Sequence, residues 1–190
     1  KYSLDNWKKI FKSNFILSYS PYLNSEIENI IFTFYSKELE GTKEMEPRWK
    51  RKQKLICSDL RDAIGKIYVK KFFPKESKNK MLELVNNLRK AFLIRLNNNS
   101  WMNNDTKKKA IEKLNAMIFK IGYPDRWNDY SKLQILDSFL DTGVEMSKFD
   151  ALYGEHGLDK IGKHKDKTIW YMGPYVVNAY YNPTVNENVF

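Results

Sequence analysis

The side chains best suited to binding a metal are few in this sequence. His156 and His164 are its two histidines, and Glu155 and Asp166 lie close to them along the chain. A two-histidine zinc site needs further ligands held in a fixed geometry, so we interpret both histidines as exposed loop residues. Cys57 is the single cysteine, which excludes an intrachain disulfide and a cysteine-based zinc site and predicts a small buried thiol.

Short catalytic motifs are absent from the sequence. It contains no His-Glu-x-x-His, no Gly-x-Ser-x-Gly, no P-loop and no Rossmann glycine pattern. Neither the cysteine nor any serine has an obvious neighbouring base that could activate it as a nucleophile. We therefore assign no catalytic residue and no metal ligand within the 190 residues.

A basic run at residues 48–54 is the strongest local concentration of charge. Five of its seven residues are cations, and the whole chain has a formal net charge of +10, which favours contact with polyanions such as nucleic acid. On a helix these cations would spread around the axis, and no recognition helix or aromatic stacking motif accompanies them. We favour a solvated helix face and keep a basic helical interaction module that could bind nucleic acid as the alternative.

A β-prone stretch at residues 176–183 could bind an extended peptide. An exposed strand edge pairs with a peptide through main-chain hydrogen bonds, and Asn178 would add a side-chain amide donor and acceptor. On composition alone, an ordinary structural strand is the alternative interpretation of this stretch.

Amphipathic helices are the elements that would position these residues. Apolar residues recur at three- and four-residue spacing, and capping residues and prolines punctuate the pattern. Ser3, the pair Ser25 and Glu28, and Asn103 are the predicted caps. The predicted helices cover residues 4–17, 25–40, 47–73, 74–97 and 103–121, with one or two weaker helices between 133 and 153 interrupted near Gly143.

The last part of the chain has a different pattern. Residues 168–171, 175–181 and 187–190 are β-prone and are separated by glycine, proline and asparagine turns. We therefore predict a mainly α fold, a multi-helix lobe of amphipathic helices with a short C-terminal β unit. The predicted division is residues 1–165 for the helical lobe and 166–190 for the strands.

Composition bounds the class of protein. Apolar residues make up 42% and aromatic residues 15% of the chain, which excludes a disordered polypeptide. No apolar run approaches the ~20 residues that a membrane-spanning helix needs. The N-terminus has neither an initiator Met nor a hydrophobic signal region, so we expect the chain to be part of a longer protein.

Several segments together resemble the neprilysin and endothelin-converting-enzyme family of zinc metallopeptidases, which includes bacterial oligoendopeptidase O. The resemblance covers nearly the whole chain and is strongest at residues 177–183, Val-Asn-Ala-Tyr-Tyr-Asn-Pro. The other segments, in the same order as in the family, are residues 34–42, 47–51, 67–74, 101–102, 106–114 and 120–125.

The resemblance implies a peptidase whose zinc site lies outside this chain. In that family the Asn-Ala pair lies on the edge strand of the active-site cleft and holds the substrate backbone, which corresponds here to Asn178 and Ala179, with Tyr180 lining the cleft. The family's His-Glu-x-x-His helix and its third zinc ligand, a glutamate, lie beyond this strand. The resemblance therefore implies zinc in the full-length enzyme, a peptide substrate and an inactive fragment that lacks the C-terminal catalytic part.

The cysteine content bears on the compartment. Animal members of the family are extracellular and cysteine-rich, whereas Cys57 is alone here. This favours a bacterial member, in the cytoplasm or in the cell envelope or periplasm, over a disulfide-rich ectodomain. We expect no nucleic-acid partner and no membrane segment in this chain.

Overall fold

The computed structural model describes residues 2–154 and 157–190, so the predictions for Glu155 and His156 fall outside the described residues. The chain forms two compact units. The first contains the described residues up to Leu60 and those of Asp129–His164, and the second contains Arg61–Asn128 and Lys165–Phe190. Each unit is therefore built from two separate stretches of chain.

Helices dominate the described residues, which confirms the predicted mainly α fold class. A π-helical segment, Phe32–Leu39, follows the second helix directly, and short 3-10 turns cover Ser20–Tyr22 and Leu158–Lys160. The α-helices are α1 Leu4–Tyr19, α2 Ser25–Ile31, α3 Arg48–Asp59, α4 Arg61–Phe72, α5 Lys75–Asn97, α6 Asn104–Asn115 and α7 Phe139–Tyr153.

A small sheet in the second unit supplies the β part of the fold. Its strands are β1 Ile118–Lys120, β2 Tyr180–Asn182 and β3 Glu187–Val189, in the spatial order β1-β3-β2. β3 pairs parallel with β1 and antiparallel with β2. β2 is thus an edge strand of this sheet.

Local capping explains where several helices begin. Ser3 accepts a hydrogen bond from the Asn6 backbone N–H, and Asn103 caps α6 in the same way, as predicted. The predicted cap of α2 at Ser25 is wrong by one residue, because the Asn24 side chain accepts the bond from the Ile27 N–H and Ser25 is already helical.

The predicted long helix over residues 47–73 is two helices. α3 ends at Asp59, and the backbone of Leu60 leaves the helical region at φ −107° and ψ 38°. Both flanking carboxylates have long-range partners: Asp59 accepts a hydrogen bond from the Tyr22 hydroxyl, and Asp62 accepts one from the Asn128 N–H at 2.9 Å. Apolar spacing continues across the break and cannot reveal these tertiary contacts.

Helix α6 is shorter than predicted. Residues 118–120, placed in the helix by their apolar pattern, form β1 because they pair with β3 in register from Ile118 with Glu187 to Lys120 with Val189. Gly122, at φ +75°, turns the chain after this strand, as expected for a glycine at an element end. A short apolar run fits helix and strand equally well, and here the pairing partner decides.

The predicted strand over residues 168–171 is wrong, and the strand predicted over 175–181 is reduced to its end. Asp166 accepts hydrogen bonds from both the N–H and the hydroxyl of Thr168, which bend the chain into a turn. The Val176 N–H donates to the Gly173 carbonyl at 3.0 Å in a second turn. Regular pairing begins only at Tyr180.

Helix α7 runs without interruption through Gly143, contrary to the predicted break. The Tyr22 ring lies against this glycine, so that a Cβ at residue 143 would be 2.6 Å from Tyr22 Cδ1. The glycine therefore permits a close contact within the helix and does not end it.

The buried apolar core lies in the second unit. Its members are Val85, Leu96, Leu114, Ile121, Trp170 and Val189. None of the helices in the described part of the chain is both long enough and apolar enough to cross a membrane.

Candidate functional site

The predicted peptide-binding residues lie at the start of the edge strand β2. Asn178 and Ala179 are exposed and immediately precede Tyr180, the first residue of β2. Val177, on their other side, is fully exposed. The structure thus leaves this segment, residues 177–180, accessible to a peptide, whereas the prediction had placed Asn178 and Ala179 within the strand itself.

Two local hydrogen bonds hold Asn178, one at its backbone N–H and one at its side-chain carboxamide. Its backbone N–H donates to the Val176 carbonyl at 3.1 Å, and its side-chain Oδ1 accepts from the Ala179 N–H at 2.8 Å. With Oδ1 held in this way, the Asn178 Nδ2 group is the donor that remains to meet a peptide carbonyl. A carbonyl partner would give the peptide a fixed register at this residue.

Tyr180 is half-buried, and the loop that precedes β2 contacts its side chain. Its hydroxyl accepts a long hydrogen bond from the Tyr171 backbone N–H, 3.4 Å between the heavy atoms. Within the sheet it lies opposite Val189, which is fully buried. The strand that begins at Tyr180 is therefore attached both to β3 and to the loop before it.

A buried ion pair beneath this loop was not predicted from the sequence. Lys120 Nζ lies 2.6 Å from Glu187 Oε2 and donates to the Ile169 carbonyl, also at 2.6 Å. Lys120 is 6% exposed and Glu187 is 1% exposed. The available signal in the sequence is Glu187, a charged residue within the β-prone stretch 187–190, since charged residues are seldom fully buried unless they are paired.

Electrostatics in the same loop favour ionised Asp166. Hydrogen bonds from the Thr168 hydroxyl and N–H lower the pKa of the Asp166 carboxyl, and the charges of Arg126 and Lys120 act in the same direction. An aspartate that is ionised at neutral pH strengthens the turn that leads into Ile169.

An apolar cavity of about 270 Å³ lies beside the segment. Trp170, Val176 and Phe190 are among the residues that line it. Val176 lines this cavity, and its carbonyl accepts the hydrogen bond from the Asn178 N–H. The apolar cavity wall and the exposed side chain of Asn178 are therefore two residues apart along the chain.

Most cations in the basic run of α3 contact a carboxylate within the first unit. Arg51 and Lys52 contact the buried carboxylate of Glu28 at 2.9 and 2.6 Å, and Lys50 and Lys54 contact Glu46 at 3.0 and 2.6 Å. Four of the five cations are thus paired with carboxylates, which does not favour the nucleic-acid alternative.

No metal centre is formed by the described residues. They contain no group of three or more His, Cys, Asp and Glu side chains that could hold a metal ion. His164 is exposed, as predicted. Cys57, predicted to be buried, is only half-buried, and it lies on α3, a helix with no fully buried residue.

Comparison with known proteins identifies the relatives of this chain. The model of the family described as "Peptidase family M13" matches residues 1–124. The neutral endopeptidase of Lactobacillus helveticus is 31% identical over 176 residues, which are 93% of this chain and 27% of the relative. Neprilysin-11 of Caenorhabditis elegans is 36% identical over 177 residues, which are 89% of this chain and 20% of the relative.

Solved structures show the same relationship. The crystal structure of PEPO from Lactobacillus rhamnosis HN001 superposes with a TM-score of 0.81 at 27% identity, over 92% of this chain and 28% of that one. The zinc metalloprotease ZMP1 of Mycobacterium tuberculosis in its open state gives 0.77 at 35% identity, over 100% of this chain and 29% of that one. The chain therefore spans between a fifth and three tenths of the length of these relatives.

Proposed function

The chain belongs to peptidase family M13, and on this basis we propose that the full protein is a zinc-dependent neutral endopeptidase that hydrolyses short peptides. These residues would contribute the helical lobe, residues 1–165, which caps the substrate cleft, and the substrate-binding strand within residues 166–190. Because the described residues hold no metal cluster, the zinc ligands would belong to the rest of the protein and the 190 residues alone would be inactive.

The observation that carries this proposal is the exposed Asn178 beside an edge strand. Asn178 and Ala179 are open to solvent, and β2 has a neighbour, β3, on one side within the described sheet. A peptide lying along this edge would meet main-chain groups and the Asn178 amide together. The part of these residues in the reaction is then to bind the peptide backbone and to fix its register.

Exposed apolar surface on α1 supports the proposal that more of the protein packs against the helical lobe. α1 has no buried residue, and Trp7, Phe11 and Phe15 are among its exposed side chains. Trp7 and Phe11 stack on each other with ring centroids 5.9 Å apart. An apolar stripe of this kind ordinarily faces another element.

Substitution of Asn178 in the full-length protein tests the proposal. Asn178→Ala removes one or two hydrogen bonds to the peptide, so we expect kcat/KM for a short peptide to fall by about 5- to 150-fold, or roughly 1–3 kcal/mol. The effect should be in KM, because the clamp binds ground state and transition state alike. Asn87→Ala, at an exposed position of α5, is the control.

Two results would contradict this proposal. A full-length protein that hydrolyses no peptide in the presence of zinc would remove the assigned activity. Peptide hydrolysis that is unchanged in Asn178→Ala would retain the activity and remove Asn178 from the substrate-binding site.

A further inference from the structure

The buried pair of Lys120 and Glu187 belongs to the sheet whose edge strand, β2, begins at the end of the proposed peptide-binding segment. Lys120 ends β1 and Glu187 begins β3, two neighbouring parallel strands. Ile118 lies opposite Glu187, and Lys120 is two residues further along, so both charged side chains point to the same face of the sheet. A lysine can be buried at this position because a carboxylate lies 2.6 Å from its ammonium group.

The ammonium group of Lys120 has a second partner outside the sheet. It donates a hydrogen bond to the carbonyl of Ile169, a residue of the turn-rich loop that leads to β2. Glu187 therefore compensates the charge, while the bond to Ile169 attaches the loop to β1. An apolar side chain could fill the same space but could not make this bond.

Contacts then continue along the loop toward Asn178. Next to Ile169, Trp170 is part of the buried core, and the Tyr171 N–H donates to the Tyr180 hydroxyl. Further on, the Asn178 N–H donates to the Val176 carbonyl. The loop is thus attached to β1 at Ile169 and to β2 two residues later.

We propose that Lys120 is a positioning residue for peptide binding, which acts by holding Ile169 and, through the loop, sets the position of Asn178. Lys120 itself does not touch the peptide. This inference rests on the proposed function, because it assigns Lys120 a role in the same binding site. It predicts that loss of the bond to Ile169 weakens peptide binding without altering the chemical step.

The substitution has to remove this bond without leaving a buried charge. Lys120→Met alone would leave the Glu187 carboxylate buried without its cation, and we expect that variant to lose structure in the second unit. The paired variant Lys120→Met/Glu187→Leu removes both charges at similar volume. Lys120→Arg keeps both the charge and a donor and serves as the conservative variant, and Lys109→Met removes an exposed lysine from α6 as the matched control.

The first experiment is a double-mutant cycle on peptide hydrolysis by the full-length protein. The paired variant should raise KM about fivefold, the factor that corresponds to one ordinary hydrogen bond, with kcat within about twofold. In the Asn178→Ala background the same substitutions should raise KM no further, because Lys120 acts through Asn178. Lys120→Arg should recover most of the lost affinity, and Lys109→Met should leave KM unchanged.

A second measurement tests positioning independently of catalysis. Hydrogen exchange of the amides at 176–181 should be faster in the paired variant than in wild type, and unchanged in Lys109→Met. Faster exchange with an unaltered KM would overturn the inference and leave the peptidase proposal intact, as would KM effects that add fully in the Asn178→Ala background. Unaltered exchange in a folded paired variant would show that Lys120 does not position this segment. Failure of the wild-type protein to hydrolyse any peptide would overturn the proposed function together with the role of Lys120 in it.

Discussion

The hydroxyl of Tyr22 donates a hydrogen bond to the carboxylate of Asp59, the last residue of α3. The Tyr22 ring also lies against Phe139 of α7, with centroids 5.1 Å apart, and against Gly143. One side chain thus joins the 3-10 turn after α1 to the end of α3 and to α7.

Asp59 should make the stability of the first unit depend on pH. Burial raises the pKa of Asp59, and the nearby charge of Asp150 raises it further, although the Tyr22 hydrogen bond opposes both. The folded state therefore binds the proton more tightly than the unfolded state. The contribution of Asp59 to stability should be fully present below its ordinary pKa of 3.8 and should be lost as pH rises through the raised value.

Asp59→Asn should remove this dependence, because an amide can still accept the Tyr22 hydrogen bond and does not ionise. At neutral pH the variant should be more resistant to urea than wild type, and the difference should vanish at acid pH. Urea unfolding of both proteins across the pH range measures it, with Asp137→Asn, at an exposed position, as the control. An Asp59→Asn variant that is less stable than wild type at neutral pH would contradict the predicted direction of the pKa shift.

Glu28 is expected to have the opposite pH dependence. Burial by itself raises the pKa of Glu28, but hydrogen bonds and charges from Lys52 and Arg51 outweigh burial and lower it. Glu28→Gln should destabilise the first unit by roughly 2–3 kcal/mol, since two charge-assisted hydrogen bonds are lost. The loss should shrink as pH falls and the wild-type carboxylate takes up its proton.

The control for Glu28 is Glu46→Gln, which removes a carboxylate that also contacts two lysines but at the surface. Exposed ion pairs contribute little to stability, so this variant should unfold close to wild type in urea. An equal loss of stability in the two variants would show that burial does not strengthen the ion pairs of Glu28.

Gly143→Ala should destabilise the protein although alanine favours helices. A Cβ at this position would lie 2.6 Å from the Tyr22 ring, and relief of such a clash typically costs about 1–3 kcal/mol. Gly162→Ala is the comparison, because that glycine has open space around it and a φ of +76°, so the cost is conformational alone. Thermal unfolding should show the larger loss of stability for Gly143→Ala. A Gly143→Ala protein that is more stable than wild type would contradict the close contact between Tyr22 and Gly143.

The basic run of α3 should not bind nucleic acid tightly. Its cations at Arg51 and Lys52 contact Glu28, and those at Lys50 and Lys54 contact Glu46, so these side chains already have partners within the protein. At about 150 mM salt, where nonspecific attraction is already weak, we expect no electrophoretic retardation of duplex or single-stranded oligonucleotides. Tight, sequence-dependent retardation would restore the interaction-module alternative.

Features encoded by neighbouring residues could be predicted from the sequence. The caps at Ser3 and Asn103 and the start of α5 after Pro74 are set within one helical turn, and the structure confirms them. The break at Leu60 and the strand at Ile118 depend on partners far along the chain, Asn128 and Glu187. Such contacts leave no periodic signal in the sequence, so the apolar spacing predicts both helices as too long.

The candidate site shows the same limit. Asn178, Ala179 and Tyr180 were assigned through their resemblance to a family motif, and their role in binding peptide stays a prediction. The positioning role proposed for Lys120 cannot be predicted from the sequence, because its two partners, Ile169 and Glu187, lie 49 and 67 residues away along the chain. Only the three-dimensional structure brings these groups together.

The interleaved order of the two units has a consequence for biosynthesis. A ribosome releases α1 to α3 first, but the first unit also needs α7, which emerges only after Arg61–Asn128 has been made. β1 likewise waits for β3 before it can pair. The nascent polypeptide must therefore hold unpaired apolar segments for longer than a chain of consecutive domains would, which favours a need for chaperones during translation.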